Sequence, residues 1–296
     1  MSWKAIILGA VLLIVIAWNA AVAFADLQLE KRPYDGVYDS CHKVWSSRGL
    51  YDTKEERNSP TAFRRAFKAG AHGVEVDFSY DTATDRFIIG HGHPRKGLDG
   101  RPVYTKKEGE LFTLELLFRE LGEGHAFWLD YKNLDHLSVE ATQKAIRRLK
   151  TIAVNGNVHD RLYIEGSNPL RLSLYTDAGF KTLLGTFPLP DSNPFASIVL
   201  DAYKLLFAAF NITGTAMNYG SIDTPIYGEN TQKQLGNLPV FVFHIPDDPS
   251  LLQQLAHNAM SASCSSAATS VSTASPSPPA AGIDGQPGSP KERHHA

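Results

Sequence analysis

Gly73-Val74-Glu75-Val76-Asp77-Phe78 alternates apolar and acidic residues with a period of two. That is the period of a β-strand, so Val74, Val76 and Phe78 share one face while Glu75 and Asp77 share the other. An ordinary amphipathic strand turns its polar face to water. Here the flanks predict burial on both sides: a helical pattern closing at Ala69-Gly70-Ala71-His72 precedes the strand, and the apolar run Phe87-Ile88-Ile89-Gly90, ending at His91, follows it. Two carboxylates converging at the end of a buried strand repel each other and lose hydration, which costs several kcal/mol unless compensated. A hard divalent cation with oxygen ligands is the usual compensation. The spacing alone also allows a half-exposed strand with two solvated acids.

Outward from this strand, apolar strand-like runs alternate with helical patterns, which predicts a parallel sheet with crossover helices. Strands are expected at 38–42, 73–78, 126–131, 161–165, 181–186, 215–218 and 240–244, with a short extra strand at 87–90 before His91. Four Ser/Asn/Asp-Pro pairs, at Ser59-Pro60, Asn168-Pro169, Asn193-Pro194 and Asp248-Pro249, place a capping side chain ahead of a proline at the first helical position. Gly70, Gly122 and Gly179 sit where helices must stop.

The order of polar residues along these elements is His42; Asn58-Ser59-Pro60-Thr61-Ala62-Phe63; Gly70-Ala71; Glu75 and Asp77; His91; and Asp130-Tyr131-Lys132. This ordered set resembles the glycerophosphodiester phosphodiesterase family, within the superfamily of phospholipase C-like phosphodiesterases. That family runs His-Arg, Glu-Asn-Thr with Ala-Phe, Gly-Ala with Glu-x-Asp, a second His, and an acid two before a Lys. The likeness covers residues 37–244, most closely up to Lys132. It implies a TIM-type (β/α)8 barrel, α/β in class, with the active groups at the C-terminal ends of strands. It also implies a divalent ion held by Glu75, Asp77 and Asp130, proton transfer by His42 and His91, and charge stabilisation by Lys132. An all-oxygen ligand set suits Mg²⁺ or Ca²⁺, and a zinc site built on the scattered histidines is the weaker rival. Histidine fits both proton-transfer tasks near neutral pH, and His93 is the rival for the role of His91.

The chain departs from the family in four places. Lys43 stands where the family has Arg, and Arg57 precedes Asn58 where the family has Glu, so a bidentate phosphate clamp is lost or moved, and the loop between His42 and Asn58 offers Lys43, Arg48, Lys54 and Arg57 to restore it. The third acid is Asp130 rather than the longer Glu. No apolar eighth strand follows 240–244, so the last strand is expected to be weak or missing: either the barrel is open or a poor strand from the tail closes it. His91-Gly92 and Asp130-Tyr131-Lys132 also resemble the phospholipase D and sphingomyelinase D branch, whose product can be a cyclic phosphate. A non-catalytic lipid-phosphate binding barrel is the alternative from a different class.

With 296 residues the chain can bury one large core, and a net charge of -2 gives no electrostatic reason to expect nucleic acid. Its two cysteines, Cys41 and Cys264, exclude a disulfide framework, and Cys41 reads as a small buried strand residue. Residues 1–25 read as a signal peptide or membrane anchor: Lys4 precedes thirteen uninterrupted apolar residues, and Ala23-Phe24-Ala25 offers a small-x-small cleavage pattern. Either way, the remainder is expected outside the cytosol, periplasmic or secreted and possibly anchored. Residues 26–36 read as a linker, 37–259 as the barrel, and 260–296 as a disordered tail rich in Ser, Ala and Pro. The segment 195–210 is apolar nearly all round, either a buried barrel helix or one touching lipid. The expected partners are a glycerophosphodiester or lysophospholipid substrate and a membrane surface.

Overall fold

Why the alternating stretch is buried on both faces is plain from its neighbours. A computed structural model describes residues 2–32, 44–92, 95–97, 102–246, 248–257 and 263–267. Strand β1 (Val44–Ser47) pairs in parallel with β2 (Gly73–Asp81), and β2 runs antiparallel to β3 (Arg86–Ile89) along its far end. A small hairpin of β4 (Arg95–Lys96) and β5 (Pro102–Val103) follows. The parallel order then continues through β6 (Ala126–Tyr131), β7 (Leu162–Gly166), β8 (Lys181–Thr186), β9 (Gly214–Asn218) and β10 (Val240–Phe243). The last strand, β11 (Ser263–Ala267), pairs with both β10 and β1 and closes an eight-stranded parallel ring. The fold is a TIM-type (β/α)8 barrel, and β2 is buried along its whole length.

The closing strand comes from the segment expected to be disordered. An open ring would leave the backbone donors and acceptors of β1 and β10 without partners along both edges. Pairing through the backbone does not depend on apolar side chains, which explains why a Ser/Ala sequence fills the slot while carrying no strand pattern. The strand expected at 38–42, with Cys41 and His42, lies outside the described residues, as do Lys43 and His93, and the first strand among the described residues is Val44–Ser47.

Helices α2 (Pro60–Lys68), α3 (Leu114–Leu121), α4 (Val139–Asn155), α5 (Pro169–Asp177), α6 (Ala196–Ala209), α7 (Glu229–Leu235) and α8 (Pro249–His257) surround the ring. Ser59 and Asn168 accept from Ala62 and Arg171 backbone N–H groups, and Asp248 accepts from Ser250 and Leu251, as three of the Pro signals predict. The fourth is displaced: α6 begins at Ala196, and Asn193 accepts from Phe195 in the turn before it. Ahead of the barrel, α1 (Trp3–Glu30) runs on through residues expected to be a linker. It packs beside α6, with Ala25 and Leu29 buried.

Two cores follow from the pleat. Outward-facing residues such as Val74, Val76, Leu129 and Ile164 pack under the helices. Inward-facing Trp45, Trp128, Tyr163 and Phe241 form a separate lumen cluster with Leu183 and Ala216. The rings meet edge to face, Trp45 with Tyr163 at 5.4 Å and Trp128 with Phe241 at 5.3 Å between centroids. Gly73 is required here, because a Cβ on it would stand 2.5 Å from the Trp45 ring. This plug gives the barrel a dry floor and leaves the next layer of inward side chains, towards the strands' C-terminal ends, to line a cleft.

Candidate active site

The layer above the aromatic floor is polar because the pleat places there the residues two positions on from each plug residue. Trp45 is followed by Ser47, Trp128 by Asp130, Tyr163 by Glu165 and Phe241 by Phe243. Asp77, Asp130 and Glu165 lie in register across β2, β6 and β7, so their carboxylates stand side by side. The cleft encloses about 370 Å³ and is lined by Ser47, Arg48, Glu75, Asp130, Lys132 and Glu165 on one side, and by Gly185, Phe187, Phe243 and His244 on the other. Glu75, Asp77 and Asp130 each offer one carboxylate oxygen in a group whose members lie within 4.8 Å of one another. The shorter Asp130 therefore reaches the cluster.

Asp77 is fully buried and is the anchor of the site. Its Oδ2 accepts from Asn58 Nδ2 at 2.8 Å and lies 2.7 Å from Arg48 Nε, while its Oδ1 lies 2.6 Å from Lys132 Nζ. The Asp77 N–H in turn donates to Asn58 Oδ1 at 3.1 Å. Lys132 also contacts Asp130. Glu75 accepts from Ser47 Oγ at 2.7 Å through Oε2, whereas its Oε1 is buried without a hydrogen-bond partner among the described residues. Trp128 Nε1 donates to Glu165 Oε2 at 2.6 Å.

Four carboxylates thus gather with two fixed cations, Arg48 and Lys132. Burial, then the charges of Asp77 and Asp130, push Glu75 up to about 8. Burial raises Asp130 despite the opposing pull of Lys132. Burial and the charges of Asp130 and Glu75 hold Glu165 well above the ordinary carboxylate range. Burial works against the charge of Lys132, but Asp130 and Asp77 outweigh it and keep its ammonium above the usual lysine value. The deficit of positive charge and the orphaned Glu75 Oε1 are what a divalent cation among oxygen ligands would relieve, so the residues present fit such an ion.

The polypeptide is held in uncommon conformations at this mouth. Arg48 and Asn58 both have φ 58° and His244 has φ 52°, the left-handed region that side chains with a Cβ rarely adopt. Gly49, at φ 81°, completes the turn after β1, where a Cβ would stand 2.6 Å from the Ala62 backbone. The Arg48 N–H donates to the Glu75 carbonyl and the Asn58 N–H to that of Arg48, which ties this loop to β2. His244 Nδ1 lies 3.3 Å from Asn218 Nδ2, and Asn218 Oδ1 accepts from the Gly220 N–H, so the amide presents its donor to the ring. Desolvation and the charge of Arg48 hold His244 below the ordinary histidine value.

Of the residues singled out by sequence, Glu75, Asp77, Asp130 and Lys132 come together. His42 lies outside the described residues. His91 is exposed and absent from the cleft lining, although the neighbouring Gly90 N–H donates to the Asp77 carbonyl. At the C-terminal end of β1 stand Ser47 and Arg48, the latter paired with Asp77. Sequence reasoning missed Ser47, Glu165 and His244 as cleft residues, and Asn58 as the partner of Asp77. Glu165 and His244 carried a usable signal, each ending a predicted strand.

No family model and no curated protein sequence matches the chain. Solved structures do. A glycerophosphodiester phosphodiesterase from Parabacteroides distasonis ATCC 8503 is similar with a TM-score of 0.53 at 18% identity, over 73% of this chain and 89% of that one. A glycerophosphodiester phosphodiesterase from Agrobacterium tumefaciens strain C58 is similar with a TM-score of 0.51 at 13% identity, over 76% and 96%. The barrel is thus the fold of glycerophosphodiester phosphodiesterases.

Proposed function

We propose that the chain is a phosphoric diester hydrolase that uses one divalent cation, Mg²⁺ or Ca²⁺, to cleave a glycerophosphodiester or lysophospholipid. The observation that carries this is the cluster of Glu75, Asp77 and Asp130 within 4.8 Å, flanked by Lys132 and Arg48, at the mouth of a barrel with this fold. When bound by these three acids, the ion would neutralise phosphate charge and assist the developing alkoxide.

The remaining work falls to the chain's own groups. Asp77, fixed by Asn58, Arg48 and Lys132, orients the two cations that face an anionic substrate. Ser47 holds Glu75 by its Oε2 and leaves Oε1 free for a ligand role. The aromatic floor excludes water from below. The resemblance assigns proton transfer to His42 and His91, while the cleft itself offers Glu165, which burial and the charges of Asp130 and Glu75 raise, and His244. Single replacement of each of the four by an uncharged residue decides between the two pairs: members of the working pair lose about 10²–10⁴-fold in kcat, and the others change little.

The decisive test is phosphorus NMR of products from a panel of phosphodiesters with Mg²⁺ or Ca²⁺. A phosphomonoester marks hydrolysis and a cyclic phosphate marks the phospholipase D-like outcome. Lipid binding without turnover marks the non-catalytic barrel. The expected location of this activity is outside the cytosol, at or near a membrane surface.

A further inference from the structure

Helix α1 is not an appendage loosely tethered to the barrel. Trp18, Val22, Ala25 and Leu29 recur at helical spacing as its half-buried or buried residues, so one stripe of its C-terminal half faces the barrel. Lys204 of α6 is 6% exposed and pairs with Asp26 of α1. The Arg32 guanidinium donates to the carbonyls of Ala208, Phe210 and Ile212 at 3.5, 3.1 and 3.1 Å, satisfying the end of α6. A chain cleaved after Ala25 would lose three of these four residues, the buried Ala25 among them.

The same contacts fix a direction. Asp26 meets Lys204 and Arg32 meets 208–212, so α1 and α6 run parallel. In this barrel the strands' C-terminal ends form the cleft mouth, and α6 follows β8, so α6 starts at the mouth and runs away from it. Following α1 backwards therefore leads towards the mouth. Trp18 precedes Asp26 by the same eight residues that separate Ala196 from Lys204, which puts Trp18 level with the first residue of α6. Residues 2–17 are exposed, and the helix before Trp18 rises past the mouth by about 22 Å for residues 3–17 at 1.5 Å per residue. Helix α1 has a mean hydropathy of 2.6 over its most apolar 18 residues, carries Lys4 as its one charged residue before Asp26, and has tryptophans at positions 3 and 18.

The rim of the mouth carries matching chemistry. Val139, Leu170, Phe187, Phe195, Ile198 and Ile222 are all exposed, and all lie in loops that follow strands or in the first turns of the helices after them. Of the other large apolar side chains exposed on the seven barrel helices, Val154 and Leu206 sit towards the opposite end.

We propose that α1 stays attached as a membrane anchor and, by its rigid seating on α6, holds the cleft mouth against the bilayer from which it emerges. The partner of this face is a lipid bilayer, and the phosphodiester that reaches Glu75, Asp77 and Asp130 is that of a lipid resident in the same membrane. The substrate clause rests on the hydrolytic reading above. The orientation does not.

The test uses the full chain in phosphatidylcholine nanodiscs, with Cys41 and Cys264 replaced by Ser and a nitroxide placed through Ile222→Cys at the mouth or Glu123→Cys at the opposite end. Relative accessibility to oxygen over a water-soluble nickel reagent is expected to be several-fold higher at 222 than at 123. Equal aqueous exposure at the two positions, or the reverse order, overturns the proposal. So does an intact mass of the membrane-extracted native chain that lacks residues 1–25. The labels are read without substrate, so a lipid-facing 222 label on a protein that cleaves no phospholipid upholds the orientation and removes only the hydrolytic reading.

Discussion

The two walls of the cleft are built from the same barrel but obey different physics. The wall from β1, β2, β6 and β7 carries Arg48, Glu75, Asp130, Lys132 and Glu165 over the buried Asp77: Arg48, Asp77, Lys132 and Asp130 are ion-paired, while Glu75 and Glu165 accept from Ser47 and Trp128. The wall from β8 and β10 offers Gly185, Phe187 and Phe243, with His244 as the one titratable group among its described lining residues. On the first wall each group is held by another, so removing one strands its partners in a site of low dielectric. On the second wall side chains act mainly by area, and their removal is graded. The contrast divides chemistry from affinity, and it can be broken experimentally.

The largest effect belongs to Asp77. Asp77→Ala leaves Arg48, Lys132 and Asn58 without their common acceptor and is expected to cost about 3–5 kcal/mol in urea denaturation. Asp77→Asn, which keeps the shape, is expected to fold and yet to lose about 10³-fold or more in turnover. Retained turnover in that folded variant would show that the charged wall is structural.

Next in size is the pH response of the metal-free protein. The folded-state value of Glu75 is raised to about 8, above its unfolded value near 4.5, so the folded state prefers the protonated form. The resulting penalty is absent below pH 4.5, grows as the pH rises and is fully present above about 8, amounting to a few kcal/mol. Glu165 acts in the same direction. Denaturation midpoints should fall from pH 5 to pH 9 in EDTA and fall much less with saturating Mg²⁺ or Ca²⁺. A flat profile in EDTA contradicts the clustering of acids.

Smaller again is Arg48→Lys. The lysine keeps the charge but loses the fork that bridges Asp77 and the cleft, and a decrease of about 10–100-fold in kcat is expected. The smallest effect comes from the other wall. Phe187→Ala is expected to raise KM for a lysophospholipid several-fold, as about 1–2 kcal/mol of apolar contact is lost, while leaving kcat and the cleavage of glycerophosphocholine unchanged. An equal loss on both substrates would place Phe187 in the chemistry instead.

How far the sequence announced all this depends on what each element relies upon. The strands at 126–131 and 181–186 were legible to the residue because apolar side chains bury them on both faces. Glu75 and Asp77 were legible because period-two spacing puts them on one face of a strand, and Asp130 and Lys132 through the family resemblance. Strand β11 was not, since it is held by backbone pairing that leaves no imprint on composition. The strand expected at 38–42 lies outside the described residues, and Val44–Ser47, which pairs with β2, carried no alternating pattern long enough to announce itself. The seating of α1 on α6 was hidden for another reason: an apolar helix pattern does not reveal which of its residues meet protein and which meet lipid.

The charged wall is expected to act on a phosphodiester with a cation bound. The direct measurement is phosphorus NMR of glycerophosphocholine and a lysophospholipid incubated with the full chain, with Mg²⁺ or Ca²⁺ and then with EDTA, beside a folded Asp77→Asn variant. The prediction is a new phosphorus product that needs the cation and disappears in the variant. Turnover unchanged by EDTA, or equal in Asp77→Asn, would contradict it.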